Sequence, residues 1–100
     1  MPKHNIGSVD NFPVNKGVCV EVDGKKIAVF NTTGQYYAID DACPHKGASL
    51  SEGQMNGMAV VCPWHGAEVD VRTGMAGPPC PGPVNYYEVS SSGTELFLET

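Results

Sequence analysis

Val18, Val20 and Val22 alternate with Cys19 and Glu21 in GVCVEV, residues 17–22. That two-residue period predicts a strand with one covered face. Asp23-Gly24 follows as a two-residue turn, and KKIAVF (25–30) returns from it. NTTG (31–34) turns the chain again into QYYAID (35–40), so three strands form a meander. Asn56-Gly57 between the apolar arms of QMNGMAVV (54–61) is the strongest short hairpin signal in the chain. AEVDVR (67–72) predicts a further strand, turned by Thr73-Gly74. NYYEVS (85–90) and ELFLE (95–99), joined by SSGT, predict the last two. In such strands Tyr36-Tyr37 and Tyr86-Tyr87 each place one ring inward and one outward.

No stretch sustains a helical period, and GASLSEG (47–53) has room for one turn at most. GPPCPGPV (77–84) holds four prolines, which remove backbone donors, so residues 77–83 read as a stiff, extended loop without strand pairing. The pattern therefore predicts an all-β, antiparallel fold, either a sandwich of packed sheets or a small barrel. One hundred residues suit a single domain spanning 1–100.

Composition narrows the function classes. A formal charge of −5 argues against nucleic acid, which selects a basic surface, and fits docking on a basic partner. The apolar run Met58–Cys62 is far too short for a membrane span. MPKHNIGSVDNF at the start has no apolar signal region, so a cytoplasmic protein is expected. His4 reads as a surface residue near a strand start.

The chemistry lies in two stretches that nearly repeat, CPHKG (43–47) and CPWHG (62–66). Cys43 and His45 are separated by one residue, and Cys62 and His65 by two. The hairpin through Asn56-Gly57 lies between them, so strand pairing would bring the two loops side by side. One soft and one borderline ligand from each loop make a four-point metal clamp. A structural zinc site usually draws like pairs from each knuckle, whereas both halves here are mixed. A cluster of two irons accommodates the order, with both cysteines on one iron and both histidines on the other. A zinc site and a Cys–His nucleophilic dyad remain alternatives, although no third group orients a dyad.

CPHKGASLSEG and CPWHGAEVDVRTG closely resemble the two cluster-binding boxes of Rieske ferredoxins, and the resemblance covers most of the chain. It implies a Rieske-like β-sandwich or small barrel whose cluster-binding subdomain is formed by loops 43–48 and 62–67, with 77–83 as the proline loop over the cluster. By that resemblance Cys43 and Cys62 ligate the inner iron of a [2Fe-2S] cluster, and His45 and His65 the outer, solvent-facing iron. Pro44 and Pro63 would restrict the loops after each ligating sulfur, and Gly47 and Gly66 would let amides approach the cluster. Asp40-Asp41 would cap or turn the chain into the first box.

The chain departs from the high-potential members of that family. Ala48 and Trp64 stand where those proteins carry a disulfide, and Ala67 and Val69 stand where they place hydroxyls near the cluster. Fewer hydrogen bonds leave the reduced state less stabilised, so a potential toward the low end of roughly −150 to +300 mV is expected. The resemblance implies an electron carrier, not an enzyme, loaded by an NAD(P)H-dependent flavoprotein reductase and serving the terminal oxygenase of an aromatic-ring-hydroxylating dioxygenase. Docking would be small and transient, around His45, His65, Lys46, Trp64 and the proline loop. A Rieske subunit of another redox enzyme, such as the small subunit of assimilatory nitrite reductase, is the competing reading, followed by a zinc-stabilised binding module. Trp64 reads as packing over the cluster. Cys19 and Cys80 read as ordinary thiols, and a bridge between them is disfavoured in a reducing compartment.

Overall fold

The computed structural model describes residues 3–32, 34–42, 49–63, 66, 68–77 and 84–99. Among the described residues nine strands run in chain order: β1 (Lys3–Ser8), β2 (Gly17–Val22), β3 (Lys25–Thr32), β4 (Gln35–Asp40), β5 (Gln54–Asn56), β6 (Ala59–Val61), β7 (Glu68–Asp70), β8 (Tyr86–Ser92) and β9 (Glu95–Glu99). They form a six-stranded sheet in the order β1-β9-β8-β4-β3-β2 and a three-stranded sheet in the order β5-β6-β7. All described pairings between strands are antiparallel.

The predicted meander is present. Asp23 and Gly24 both adopt positive φ, 52° and 78°, as a tight turn of matching twist requires, and β2 pairs with β3 from Gly17↔Phe30 to Val22↔Lys25. The hairpin in the middle of the chain is also present, shifted by one residue. Asn56 pairs with Ala59, so Gly57 and Met58 are the central residues, and only Gly57 has positive φ, 64°. The strand expected over 67–72 is shorter: Gly74 N–H donates to Asp70 O at 2.7 Å and turns the chain after Asp70. The single turn expected in GASLSEG is a 3-10 turn over Leu50–Glu52.

The strand start expected near His4 is present as β1, although the pattern gives no range or partner for it. Its residues, KHNIGS, include one large apolar side chain, and its order comes from pairing with β9, broken by an irregularity between Asn5 and Gly7. A 3-10 turn over Val9–Asn11 follows, begun by Ser8, whose side chain accepts from Asp10 N–H.

Two cores explain the alternation. On β3, Ile27 and Val29 point into one cluster and Ala28 and Phe30 into the other, and all four are fully buried. On β4, Ala38 joins the first and Ile39 the second. The first cluster also takes Ile6 of β1, Val18, Val20 and Val22 of β2, Tyr87 and Val89 of β8, and Leu96 and Leu98 of β9. Every strand of the large sheet thus feeds one interior, which requires the sheet to curl into a nearly closed barrel. The seam falls between β1 and β2, where His4 Nε2 lies 3.3 Å from Asp23 Oδ2 without a hydrogen bond. The second cluster lies outside the barrel wall, between β3 and β4 and the small sheet, and includes Leu50, Val60, Cys62, Val69, Val71 and Val84.

Coverage on both faces changes one expectation. Tyr36 and Tyr37 do point opposite ways, yet both are half-buried, because each face of β4 has a core against it. Tyr86 and Tyr87 follow the simple pattern: Tyr86 is 57% exposed and Tyr87 packs inward. Among the described residues, no helix is long and apolar enough to cross a membrane.

Because Ile27 and Ile39 serve separate cores, Ile27→Val and Ile39→Val should each destabilise the protein by about 0.5–1.5 kcal/mol. The double variant should show the sum within about 0.5 kcal/mol. Denaturant midpoints at unchanged slope measure both; strong coupling would mean one shared core.

Candidate metal centre

Backbone pairing builds three adjoining stems at one end of the small sheet. The first closes loop 43–48: Ala42 bridges Ser49, and Leu50 N–H donates to Asp41 O at 2.7 Å. The second closes loop 62–67 through the pair Val61↔Glu68, with Gly66 N–H donating to Cys62 O at 3.0 Å. The third carries residues 75–77 alongside β7: Ala76 bridges Val69 and Gly77 N–H donates to Glu68 O at 2.9 Å. After residues 78–83 the chain is back at Val84, whose N–H donates to Gly74 O at 2.9 Å.

The β5–β6 hairpin sets the first two stems side by side, as the spacing predicts, by pairing Gln54 with Val61. Contact is close enough to forbid side chains. A Cβ on Gly53 would overlap the carbonyl oxygen of Val61, the residue before Cys62. A Cβ on Gly17 would stand 2.5 Å from Ser51 O, so β2 also presses against the outgoing limb of the first loop.

Of the four predicted ligands, Cys62 lies within the described residues; Cys43, His45 and His65 lie outside them, as do Pro44, Lys46, Gly47, Ala48, Trp64, Ala67 and Cys80. Cys62 is 1% exposed and sits in the outer core among Phe30, Leu50, Val60 and Val69. Pro63 and Gly66, in the same loop, are exposed, and Gly66 has φ of 75°. A cleft of about 490 Å³ runs between Cys62, Pro63 and Gly66 on one side and Glu52, Gly53 and Gln54 on the other. Within the described part of the loop, a buried sulfur is therefore followed directly by exposed backbone at Pro63 and Gly66. That polarity fits a metal group gripped by thiolate on its inner side and by a harder ligand farther out. Among the described residues alone, no group of three or more His, Cys, Asp or Glu could hold a metal ion.

Two acidic residues do more than turn the chain. Asp41, 2% exposed, accepts a hydrogen bond from Ser51 N–H at 2.9 Å, tying both limbs of the first stem together. It also lies beside Cys19, which is exposed on the face opposite the valines; burial of the thiol first, then the Asp41 carboxylate, raises the Cys19 pKa. Asp40 turns elsewhere, accepting from Tyr87 Oη at 2.6 Å and from Asn85 N–H at 3.1 Å. Nothing in the sequence links Tyr87 to a residue 47 positions away. Burial, followed by the hydrogen bond to Asp40, pushes the Tyr87 pKa up to about 12. On β7, Arg72 holds Asp70 through its Nε (3.1 Å) and Nη2 (2.9 Å), which lowers the Asp70 pKa and braces the turn into the third stem.

Comparison with known proteins places this geometry. The family description "Rieske [2Fe-2S] domain" matches residues 3–88. The chain is 36% identical to the biphenyl dioxygenase ferredoxin subunit of Pseudomonas sp. strain KKS102, over 92% of this chain and 86% of that one. It superposes on the ferredoxin of carbazole 1,9a-dioxygenase from Nocardioides aromaticivorans IC177 with a TM-score of 0.92 at 30% identity, covering 98% and 97% of the two chains. A chain from the complex of reduced oxygenase and oxidised ferredoxin in carbazole 1,9a-dioxygenase matches with a TM-score of 0.88 at 32% identity, covering 96% and 91%.

Gly53→Ala should cost more than about 1 kcal/mol and lower the iron bound per chain, since its Cβ has no room beside Val61. Gly24→Ala, at positive φ in open space, should cost about 1 kcal/mol and leave iron content unchanged. Titration of Tyr87 makes a separate prediction. Its folded pKa is raised above the ordinary value of 10.0, so the native state holds the proton more tightly than the unfolded chain. Its contribution is complete below pH 10.0 and is lost as pH rises toward about 12. Ultraviolet tyrosinate titration should show one tyrosine ionising late, and Tyr87→Phe should remove that step.

Proposed function

The chain belongs to the Rieske [2Fe-2S] family, and on that basis we propose that it is the ferredoxin of an aromatic-ring-hydroxylating dioxygenase system, carrying single electrons to the terminal oxygenase. Cys62 carries the reading: its sulfur is buried at the base of the Cys-x-x-His loop, beside exposed Pro63 and Gly66 and next to the stem of the Cys-x-His loop. The donor set fits a [2Fe-2S] cluster, with Cys43 and Cys62 as ligands of the inner iron and His45 and His65 of the outer one. When bound, the cluster supplies reversible one-electron transfer.

The chain's own residues prepare that site. Phe30, Leu50, Val60 and Val69 exclude water around Cys62 and lower the local dielectric. Pro63 restricts the loop just past the sulfur, so less freedom is lost when the ligands are held. Gly66 takes a positive φ that a side chain would oppose and returns its N–H to Cys62 O. The exposed face at Pro63 and Gly66 is the side on which a partner approaches closely. Val69 is fully buried in the outer core and offers no hydroxyl, which supports a low potential.

Support for the oxygenase as recipient comes from relatives that are named ferredoxin components of dioxygenases, one of them in a complex with its oxygenase. A flavoprotein reductase is the matching donor. NAD(P)H gives hydride, two electrons together, and a flavin is needed to divide them for a one-electron carrier. The carrier performs no bond chemistry itself. A cytoplasmic location follows from where NAD(P)H and reduced thiols are available.

Purified protein should be coloured, hold about two irons per chain, give a reduced-state EPR signal, and titrate toward the low end of roughly −150 to +300 mV. Cys62→Ser should abolish colour and signal together. A colourless, EPR-silent zinc protein would exclude the carrier, and a potential above the midpoint of that range would exclude the low-potential assignment.

A further inference from the structure

The six-stranded sheet has one weak junction. Strands β4 and β8 share two paired positions, Ala38↔Tyr87 and Ile39↔Tyr86, whereas every other junction in that sheet has five or six. The junction joins the two halves of the barrel, β4-β3-β2 and β8-β9-β1. It also stands between two loops of the metal centre: β4 leads into loop 43–48, and β8 leads away from loop 78–83.

Asp40 sits where that ladder gives out. Its N–H donates to Asn85 O at 3.0 Å, and Asn85 N–H donates back to its Oδ2 at 3.1 Å. Its Oδ1 accepts from Tyr87 Oη at 2.6 Å, a short bond of the charge-assisted kind. The preceding residue on the returning chain, Val84, is bound to Gly74 O, so the latch continues into the third stem. Strand alternation sends the neighbouring carboxylate, Asp41, to the other side, where it holds Ser51. Two adjacent acids thus serve two separate stems.

We propose that Asp40 is a positioning residue that locks the base of the proline loop, through Asn85 and Tyr87, to the strand delivering the first cluster-binding loop. Beyond Ile39 the backbone keeps one bond between β4 and the chain entering β8, from Asp40 N–H to Asn85 O, and the Asp40 side chain adds two more. Both stems then hold one register, and the ligand loop is delivered from a base that does not shift. Tyr87 remains a donor across the neutral range, as a phenol does, and its raised pKa extends that range into alkaline solution. The role at the cluster rests on the Rieske reading; the latch itself does not.

Amide hydrogen exchange on the intact protein, with cluster loss to an iron chelator followed in parallel, tests the proposal. In Asp40→Ala, exchange at Val84 and Asn85 should accelerate about tenfold, the scale of one hydrogen bond to a charged group. Exchange at Val29, in the barrel core, should not change, and the cluster should bleach several-fold faster. Asp40→Asn keeps an acceptor for Tyr87 but presents an amide to Asn85, and Tyr87→Phe keeps the charge but loses a donor. Each should fall between the parent and Asp40→Ala, and either serves if Asp40→Ala does not fold. Unchanged exchange at Asn85 in all three variants overturns the latch. Equal acceleration at Val29 also overturns it, by showing general loosening. Faster exchange at Asn85 with unaltered bleaching leaves the latch standing and removes its role at the cluster. Chain without iron that still shows the exchange effect separates failure of the Rieske reading from failure of the latch.

Discussion

Burial of both faces of β3 and β4 is the constraint on which the rest of the structure depends. A strand covered on one side tolerates any polar residue at alternate positions; these two do not. Ile27 and Val29 must fill the barrel while Ala28 and Phe30 fill the space beneath the small sheet. Each large side chain buried in this way contributes about 1.5–3 kcal/mol, so two opposed cores on shared strands fix register firmly. A slip by one residue would exchange the two sets, placing Phe30 where Val29 belongs, with no solvent face to absorb the mismatch.

The metal centre inherits that rigidity. Its stems rise from the small sheet, whose inner face rests on the outer core, and Cys62 itself belongs to that core. Because the thiol is packed among aliphatic and aromatic groups, the inner side of the site is positioned by the same contacts that stabilise the fold. Glycine makes the neighbouring approach feasible. At Gly53 and Gly17 the chain passes so near backbone oxygens of Val61 and Ser51 that a methyl group would separate the stems. The polar contacts at the bases are a buried carboxylate for the first stem, a half-buried carboxylate for the junction with β8 and the Asp70–Arg72 pair at the turn into the third stem.

How much of this was legible in advance varied with the range of the interaction. The meander, the turn at Asp23-Gly24 and the closing hairpin depend on neighbours within a few residues, and the alternation of valines announced them. The central hairpin was legible in kind but off by one residue, since pairing of Asn56 with Ala59 depends on the small sheet as well as on turn preference. Strand β1 was legible only as a strand start near His4, because KHNIGS has no alternation and its partner β9 lies at the other end of the chain. Tyr36 and Tyr37 misled for a related reason, as periodicity shows that faces differ but not that both are covered.

For the site, the spacing of Cys43, His45, Cys62 and His65 pointed to a mixed sulfur and nitrogen clamp, of which the described residues include Cys62, and the flanking boxes identified the family. By itself the sequence determined the local elements and the chemistry of the donors, because both are set by residues close together in the chain. Only the tertiary structure decided that Cys62 lies at the buried end of its loop, that Gly53 admits no side chain, and that Asp40 binds Asn85 and Tyr87. Those outcomes depend on the exact register of a hairpin at Gly53, on core packing at Cys62 and on partners 45 or more positions away at Asp40, and no local pattern encodes them.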